Sequence, residues 1–316
     1  MKIAFTSCMS TEVFPSQPVW TDILNRAPDC LLLTGDSIYI DGMPNGTPPK
    51  ELSDNDFGNH LFNLYAALLR LPEFEALVAA TPSYAIWDDH DFLWNECYRE
   101  KAIKKNVYKQ FIFSTRASFL AFREALAGTP FPSVYGDPRL WTQCPPPGYQ
   151  YEYLAAADAA LHLTDGRSWR VNDVLLGEDQ KAQIEANIRT RPDSLHLLVS
   201  GSVVETHASE CWGTFQADYQ WLLGLAREFR ILVISGDIHD NNMATLDLGA
   251  GGKFRYLYEA TASGAAIRKL VSFGSNCRNY GMLEIDQDEV AISLFMFEQL
   301  SNGTPLRIDR NTWLPK

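Results

Sequence analysis

Short runs of Ile, Val, Leu and Tyr alternate along this chain with longer stretches in which apolar residues recur at helical spacing. Continuous apolar runs of strand length, bounded by polar or Gly-containing segments, read as strands buried on both faces. They predict strands over Lys2–Ser7, Cys30–Thr34, Ser83–Trp87, Gln150–Leu154, Ala159–Thr164, His196–Ser200, Ile231–Ser235, Arg255–Thr261, Met282–Ile285 and Val290–Phe297. Helical periodicity fills Val19–Ala27, His60–Ala79, Ile103–Ala127, Glu178–Arg189 and Phe215–Glu228. Strand alternating with helix predicts a layered α/β core. Two stretches depart from that rhythm. Residues from about 96 to 149 combine a helix with the Pro-rich segment TPFPSVYGDPRLWTQCPPPGY, and read as an insertion over one face. The last two predicted strands flank the turn Asp286–Glu289, which predicts an antiparallel hairpin.

The chemistry stands just after the strands. AFTS leads to Cys8, LLLTG to Asp36, YAIW to Asp88, Asp89, His90 and Asp91, and LVISG to Asp237 and His239. In open α/β sheets, ligands bind beyond the carboxyl ends of the strands, so these four ends share one rim. Taken alone, Cys8 reads as a small core hydrophobe and Asp88–Asp91 as a solvated acidic loop. Four strand ends carrying such residues together outweigh both readings. Carboxylates gathered on one rim repel and need a compensating cation. Two metals roughly 3.5–4 Å apart, sharing a bridging carboxylate, are the arrangement that clamps the attacking and leaving oxygens in phosphoester cleavage.

These residues sit in FTSC (5–8), TGDSIYID (34–41), IWDDHDFLWN (86–95), LTDGRSWR (163–170), LGEDQ (176–180) and SGDIH (235–239). In that order the motifs resemble the PhoD-like (alkaline phosphatase D) branch of the calcineurin-like metallophosphoesterases. The resemblance implies a four-layer α/β/β/α metallophosphoesterase sandwich, formed as a single domain over residues 1–316 with the insertion at about 96–149. It implies that Asp36 bridges two metals, that Cys8, Tyr39 and His239 complete one site, and that Asp89, Asp237 and Asn95 hold the second. Thiolate and phenolate donors suit Fe(III), with Zn as an alternative; the oxygen-rich second site suits Ca, Mn or Mg. Asp88 is either a ligand or a supporting group. His90 is the expected catalytic residue, placed beside the leaving oxygen, with Asp91 or a backbone carbonyl fixing its tautomer. A metal-bound hydroxide is the implied nucleophile. Asp165, Arg167 and Arg170 read as an ion-pair network under the site. The chain departs from the pattern at Trp94 and at LVSGSVVETH, where Ser200, Ser202 or His207 stands in for a usual Gln.

Composition narrows the partners. Lys plus Arg is 27 against 39 Asp plus Glu, a net charge of −12 that disfavours nucleic acid and anionic membrane. No apolar run reaches membrane-span length, and no leader is visible, so the expected location is cytoplasmic. The six cysteines are scattered without a CxxC and read as reduced thiols. The glycines of LGAGGKF precede a strand, which favours a hairpin loop over a phosphate loop. His60, His162 and His196 read as structural or surface residues. The expected function is metal-dependent hydrolysis of small phosphomonoesters or phosphodiesters. The rival is a catalytically impaired phosphate- or nucleotide-binding regulator on the same fold.

Overall fold

The computed structural model describes residues 1–316 apart from 42–46, 105–107, 143, 205–209 and 268–277. In chain order its elements are β1 (Lys2–Met9), α1 (Val19–Asn25), β2 (Cys30–Thr34), α2 (Asp54–Leu69), α3 (Pro72–Ala80), β3 (Ser83–Ile86), α4 (Asp89–Phe92), α5 (Arg99–Ile103), α6 (Lys109–Leu126), β4 (Gln150–Leu154), β5 (Ala159–Leu163), α7 (Glu178–Thr190), β6 (Leu195–Val199), α8 (Gln216–Glu228), β7 (Arg230–Ser235), β8 (Asn241–Asp247), β9 (Tyr256–Ala266), β10 (Asn279–Ile285), β11 (Glu289–Met296), β12 (Gln299–Leu300) and β13 (Leu306–Asp309).

The strands form two sheets. In the first, β3, β2 and β1 run parallel and β10 and β11 continue antiparallel, with β12 and β13 both on β11. In the second, β5, β6, β7 and β9 are parallel between antiparallel β4 and β8. The sheets are joined where β1 pairs with β9 at Ser7↔Ser263 and Met9↔Ala266, across an irregularity at Cys8.

The alternation of side chains explains the layers. Ile3, Phe5 and Leu32 point into a core shared with Leu161, Leu197 and Leu232 of the other sheet. Ala4, Leu31 and Leu33 point the opposite way, into a core with Trp20, Phe57, Phe74 and Phe119 of the covering helices. Ile184, Ile188 and Leu222 of α7 and α8 cover the outer face of the second sheet. Helix, sheet, sheet and helix give the four-layer sandwich expected from the resemblance. Strands clamped between two apolar layers need apolar residues at every position, which is why they appear as unbroken runs.

The differences from the predicted elements have local causes. The helix expected over His60–Ala79 is two, because Pro72 cannot continue α2 but suits the first turn of α3. The helix expected over Ile103–Ala127 is α6, which begins only at Lys109, while Ile103 ends the separate short helix α5. The insertion is part of the helical layer: Phe111 of α6 stacks on Phe57 of α2 at 3.9 Å, and Phe122 packs against Tyr65 at 4.9 Å. β8, β12 and β13 escape the pattern because they lie at edges and are partly exposed. The β10–β11 hairpin forms as expected, with the Asp286 N–H donating to the Glu289 carbonyl. LGAGGKF links antiparallel β8 and β9, as the loop reading required.

Candidate active site

The carboxyl ends of β1, β2, β3, β6, β7 and β9 converge, and there the backbone leaves the ordinary regions. Cys8 (φ 59°), Asp36 (φ 51°), Asp237 (φ 72°) and His239 (φ 52°) all adopt the left-handed conformation. Non-glycine residues enter it at a cost, and surrounding structure must hold them there. Cys8 interrupts β1 just before its end, and Asp36, Asp237 and His239 follow β2 and β7.

Two donor sets result. Cys8, Asp36 and His239 bring ligand atoms within 4.8 Å of one another, and so do Asp36, Asp88, Asp89 and Asp237. A third grouping of Asp36, Asp89 and His90 overlaps both. Asp36 belongs to all three. Its Oδ2 accepts from Cys8 Sγ and from the Tyr39 hydroxyl, each at 3.3 Å, while its buried Oδ1 has no hydrogen-bond partner. Tyr39 also lies 2.7 Å from His239 Nε2.

The electrostatics call for a counter-charge. Burial, then the charges of Cys8, Asp89, Asp88 and Asp91, hold the Asp36 carboxyl well above its usual range. Burial, with Asp88 and Asp89 adding, pushes Asp237 up to about 7. Burial pushes the Cys8 thiol up to about 11 and the Tyr39 phenol well above its ordinary value. A cation among these groups would reverse the trend, and the unpartnered Asp36 Oδ1 offers it an acceptor. Sulfur, phenol oxygen and imidazole on one side, carboxylates on the other, fit two metals of different character.

His90 is the second residue of the single turn of α4, with its ring 4.2 Å from that of Tyr39. Its Nδ1 lies 2.6 Å from Asp41 Oδ1, so the tautomer is set by a residue absent from the sequence expectation. Burial works against a charged imidazole, but the bond to Asp41 and the charges of Asp89, Asp41 and Asp88 outweigh it, raising His90 to about 9. Asp91 serves the backbone instead. It accepts from Tyr65 and from the N–H groups of Ser37 and Asp88, pinning the β2 and β3 ends together. Asp41 closes the TGDSIYID motif, but a carboxylate five places after Asp36 has no spacing that announces a contact with His90.

Asp88 turns toward Arg167, whose Nε donates to Oδ1 at 2.6 Å. Arg167 is fully buried and also donates to Glu210 at 2.8 Å, as Arg170 does at 2.6 Å. Burial opposes the Glu210 charge, yet the two arginines hold it down to about 2. The expected network therefore forms with Glu210, which sequence reasoning missed, in place of Asp165. Asp165 instead accepts from Trp87 Nε1 and from the backbone of Gly148, Arg167 and Ser168. Asn95 is exposed, and its backbone N–H donates to Asp41 Oδ2 at 3.3 Å. Ser200 accepts from Trp212 Nε1 and donates to the Ser202 carbonyl. His207 lies outside the described residues. The neighbouring Gly201 has a structural reason: a Cβ there would lie 2.5 Å from Asp88 Cγ.

The family model for PhoD-like phosphatase matches residues 3–267. The solved structure of PhoD superposes with a TM-score of 0.70 at 14% identity, covering 100% of this chain and 71% of that one. Vps29 from Entamoeba histolytica, solved with zinc, gives 0.38 at 11% identity over 98% of this chain and 100% of its own. A conserved uncharacterized protein from Streptococcus pneumoniae gives 0.37 at 9% over 98% and 97%. No curated protein matches.

Proposed function

The chain belongs to the PhoD-like phosphatases and is a phosphoester hydrolase; on that premise we propose that it cleaves small phosphomonoesters or phosphodiesters at a dinuclear metal centre bridged by Asp36. The observation that carries the reading is the membership of Asp36 in both donor sets, with Oδ1 left over. Cys8, Tyr39 and His239 would hold one metal, for which iron is the first choice and zinc the second. Asp89 and Asp237 would hold calcium, manganese or magnesium, and the exposed Asn95 would have to turn inward to join them as the family pattern implies. When bound, the cations neutralise the phosphoryl oxygens and make water a competent nucleophile near neutral pH.

The protein's own groups do the rest. His90 holds a proton on the side away from Asp41 and delivers it to the leaving oxygen as the P–O bond breaks. Asp41 fixes the ring orientation and keeps Nδ1 occupied, so only Nε2 faces the substrate. Arg167 holds Asp88 and the adjacent Asp89 at a set distance from Asp36. The free thiols of Cys8, Cys30, Cys97, Cys144 and Cys211 suit a reducing compartment such as the cytoplasm. Among the described residues no helix is long and apolar enough to cross a membrane. The sheet-to-sheet pairing of β1 with β9 supports a single domain.

The test is metal content and turnover of aryl phosphate mono- and diesters, measured together on wild type and Asp36→Asn. The expected result is two metals per wild-type chain and loss of both metal and activity in the variant. Full turnover by Asp36→Asn would overturn the bridging role. Phosphate affinity without turnover in a metal-loaded wild type would favour a non-catalytic binder.

A further inference from the structure

Ser263 stands on β9 where the two sheets join, paired with Ser7 of β1. It is completely buried, as are Ser7 and Cys8. We propose that Ser263 is a positioning residue for the metal held by Cys8, Tyr39 and His239: its hydroxyl accepts the His239 N–H and donates to the Cys8 sulfur. The proposal rests on the metal site of the reading above and adds to it the group that fixes two of its ligands.

Geometry gives the first reason. Ser263 Oγ lies 3.1 Å from Cys8 Sγ, and the His239 N–H donates to the same oxygen at 2.9 Å. A hydroxyl has one proton and two acceptor lone pairs, so both bonds can stand together. The Ser263 N–H donates to the Asp240 carbonyl at 3.1 Å, and the Ser263 carbonyl accepts from Asn279 Nδ2 at 3.1 Å. Ser263 therefore holds the turn after β7 with both backbone and side chain, and is itself anchored from β10. Cys8 (φ 59°) and His239 (φ 52°) both have left-handed backbone, which persists only where the surroundings fix it. One oxygen bonded to both residues is such a fixture.

Chemistry gives the second. Cys8 Sγ donates its own proton to Asp36 Oδ2 at 3.3 Å, which leaves the Ser263 hydroxyl as the donor in the 3.1 Å contact. A metal takes the sulfur as thiolate, which can only accept, so the same donor serves the loaded site. A hydrogen bond to a ligating sulfur draws electron density from it and so tunes the metal it holds. Ser7 Oγ stands farther from that sulfur, at 3.5 Å. With all three residues buried, water does not replace a lost donor.

The experiment titrates the metal-free full-length protein with cobalt(II) and follows the near-ultraviolet sulfur-to-metal charge-transfer band. That band reports the Cys8 site alone, because the carboxylate set offers no sulfur. Ser263→Ala should weaken cobalt binding there by about tenfold, the lower end of what losing a partner behind a ligand costs. It should also move the band to longer wavelength, since a thiolate without its donor gives up an electron more readily. Ser263→Thr keeps the hydroxyl and should restore the band position, and Ser7→Ala should shift the band less than Ser263→Ala does. Thermal unfolding of each metal-free variant checks that it is folded. Wild-type band position and affinity in Ser263→Ala would overturn the assignment and leave the metal centre standing. Weaker binding with an unmoved band would overturn it too, because a merely structural role would produce that result. A wild type that develops no band would overturn the Cys8 site itself, and the proposal with it.

Discussion

Cys8, Asp36, Asp237 and His239 share a left-handed backbone, and that common feature says how the rim is built. Each residue follows or interrupts a strand and is turned out of the extended conformation by neighbours that leave it no alternative. Gly201 illustrates how tight the fit is, since a Cβ there meets Asp88 Cγ at 2.5 Å. Gly201→Ala should displace Asp88, destabilise the protein by about 1–3 kcal/mol and lower metal occupancy; thermal unfolding and metal analysis of the same sample check it. Asp41 acts through His90. Asp41→Asn should cut turnover on the order of 10–100-fold with metal content retained, and Asp41→Glu should recover part. Loss of metal in Asp41→Asn would instead mean that Asp41 supports the ligands. His90→Ala should cost on the order of 10²–10⁴ in turnover with metal retained, the usual range for an acid–base group.

Between elements, one buried guanidinium does the joining. Arg167, in the loop after β5, reaches Asp88 after β3 and Glu210 ahead of α8, and Arg170 meets the same Glu210 while lying over the Tyr98 and Phe215 rings at 4.6 and 4.8 Å. Removing one partner of such a buried set leaves uncompensated charge. Arg167→Ala should therefore destabilise by about 3–5 kcal/mol in denaturant unfolding, and Arg167→Lys by less, because charge remains while the fork is lost. The Arg167 loop is itself anchored from α7. Gln180 accepts from the Asp165 N–H and donates to the Asp165 and Leu176 carbonyls. The LGEDQ motif thus reaches the site through two intermediaries, which is why its chemistry could not be guessed from its letters.

Across the whole molecule, the second sheet carries a feature unrelated to catalysis. Tyr149 donates to His162 Nδ1, His162 Nε2 faces His196 Nδ1, and His196 Nε2 donates to the Arg191 carbonyl. The chain of bonds requires both imidazoles neutral, each donating once and accepting once. Burial, with their mutual repulsion, pushes His162 down to about 3, and burial takes His196 to about 4. Both folded values lie below the unfolded value of about 6.5, so the unfolded chain binds more protons as pH falls below that point. Stability should be full above about pH 6.5 and decline toward pH 4. From pH 8 to pH 5 the loss should be about 2 kcal/mol per histidine. His162→Gln should make that decline shallower in denaturant titrations, whatever it costs at pH 8.

What was legible in the sequence follows from what a single strand can announce. Ile3, Leu32, Leu197 and Leu232 lie among residues buried on both faces, so the two-sheet sandwich shows as unbroken apolar runs. The residues after those runs mark the rim, because parallel strands all deliver their ends to one side. Edge strands such as β8 were hidden, since a half-exposed strand has no continuous apolar run. The partnerships were hidden more deeply. Asp41 with His90, Glu210 with Arg167, and His162 with His196 join residues 49, 43 and 34 positions apart. The sequence by itself determined which strands are buried and which residues stand at their ends. Which carboxylate meets which cation was decided only in the tertiary structure, because that depends on left-handed turns and on the joining of β1 to β9, and neither leaves a periodic trace in the chain.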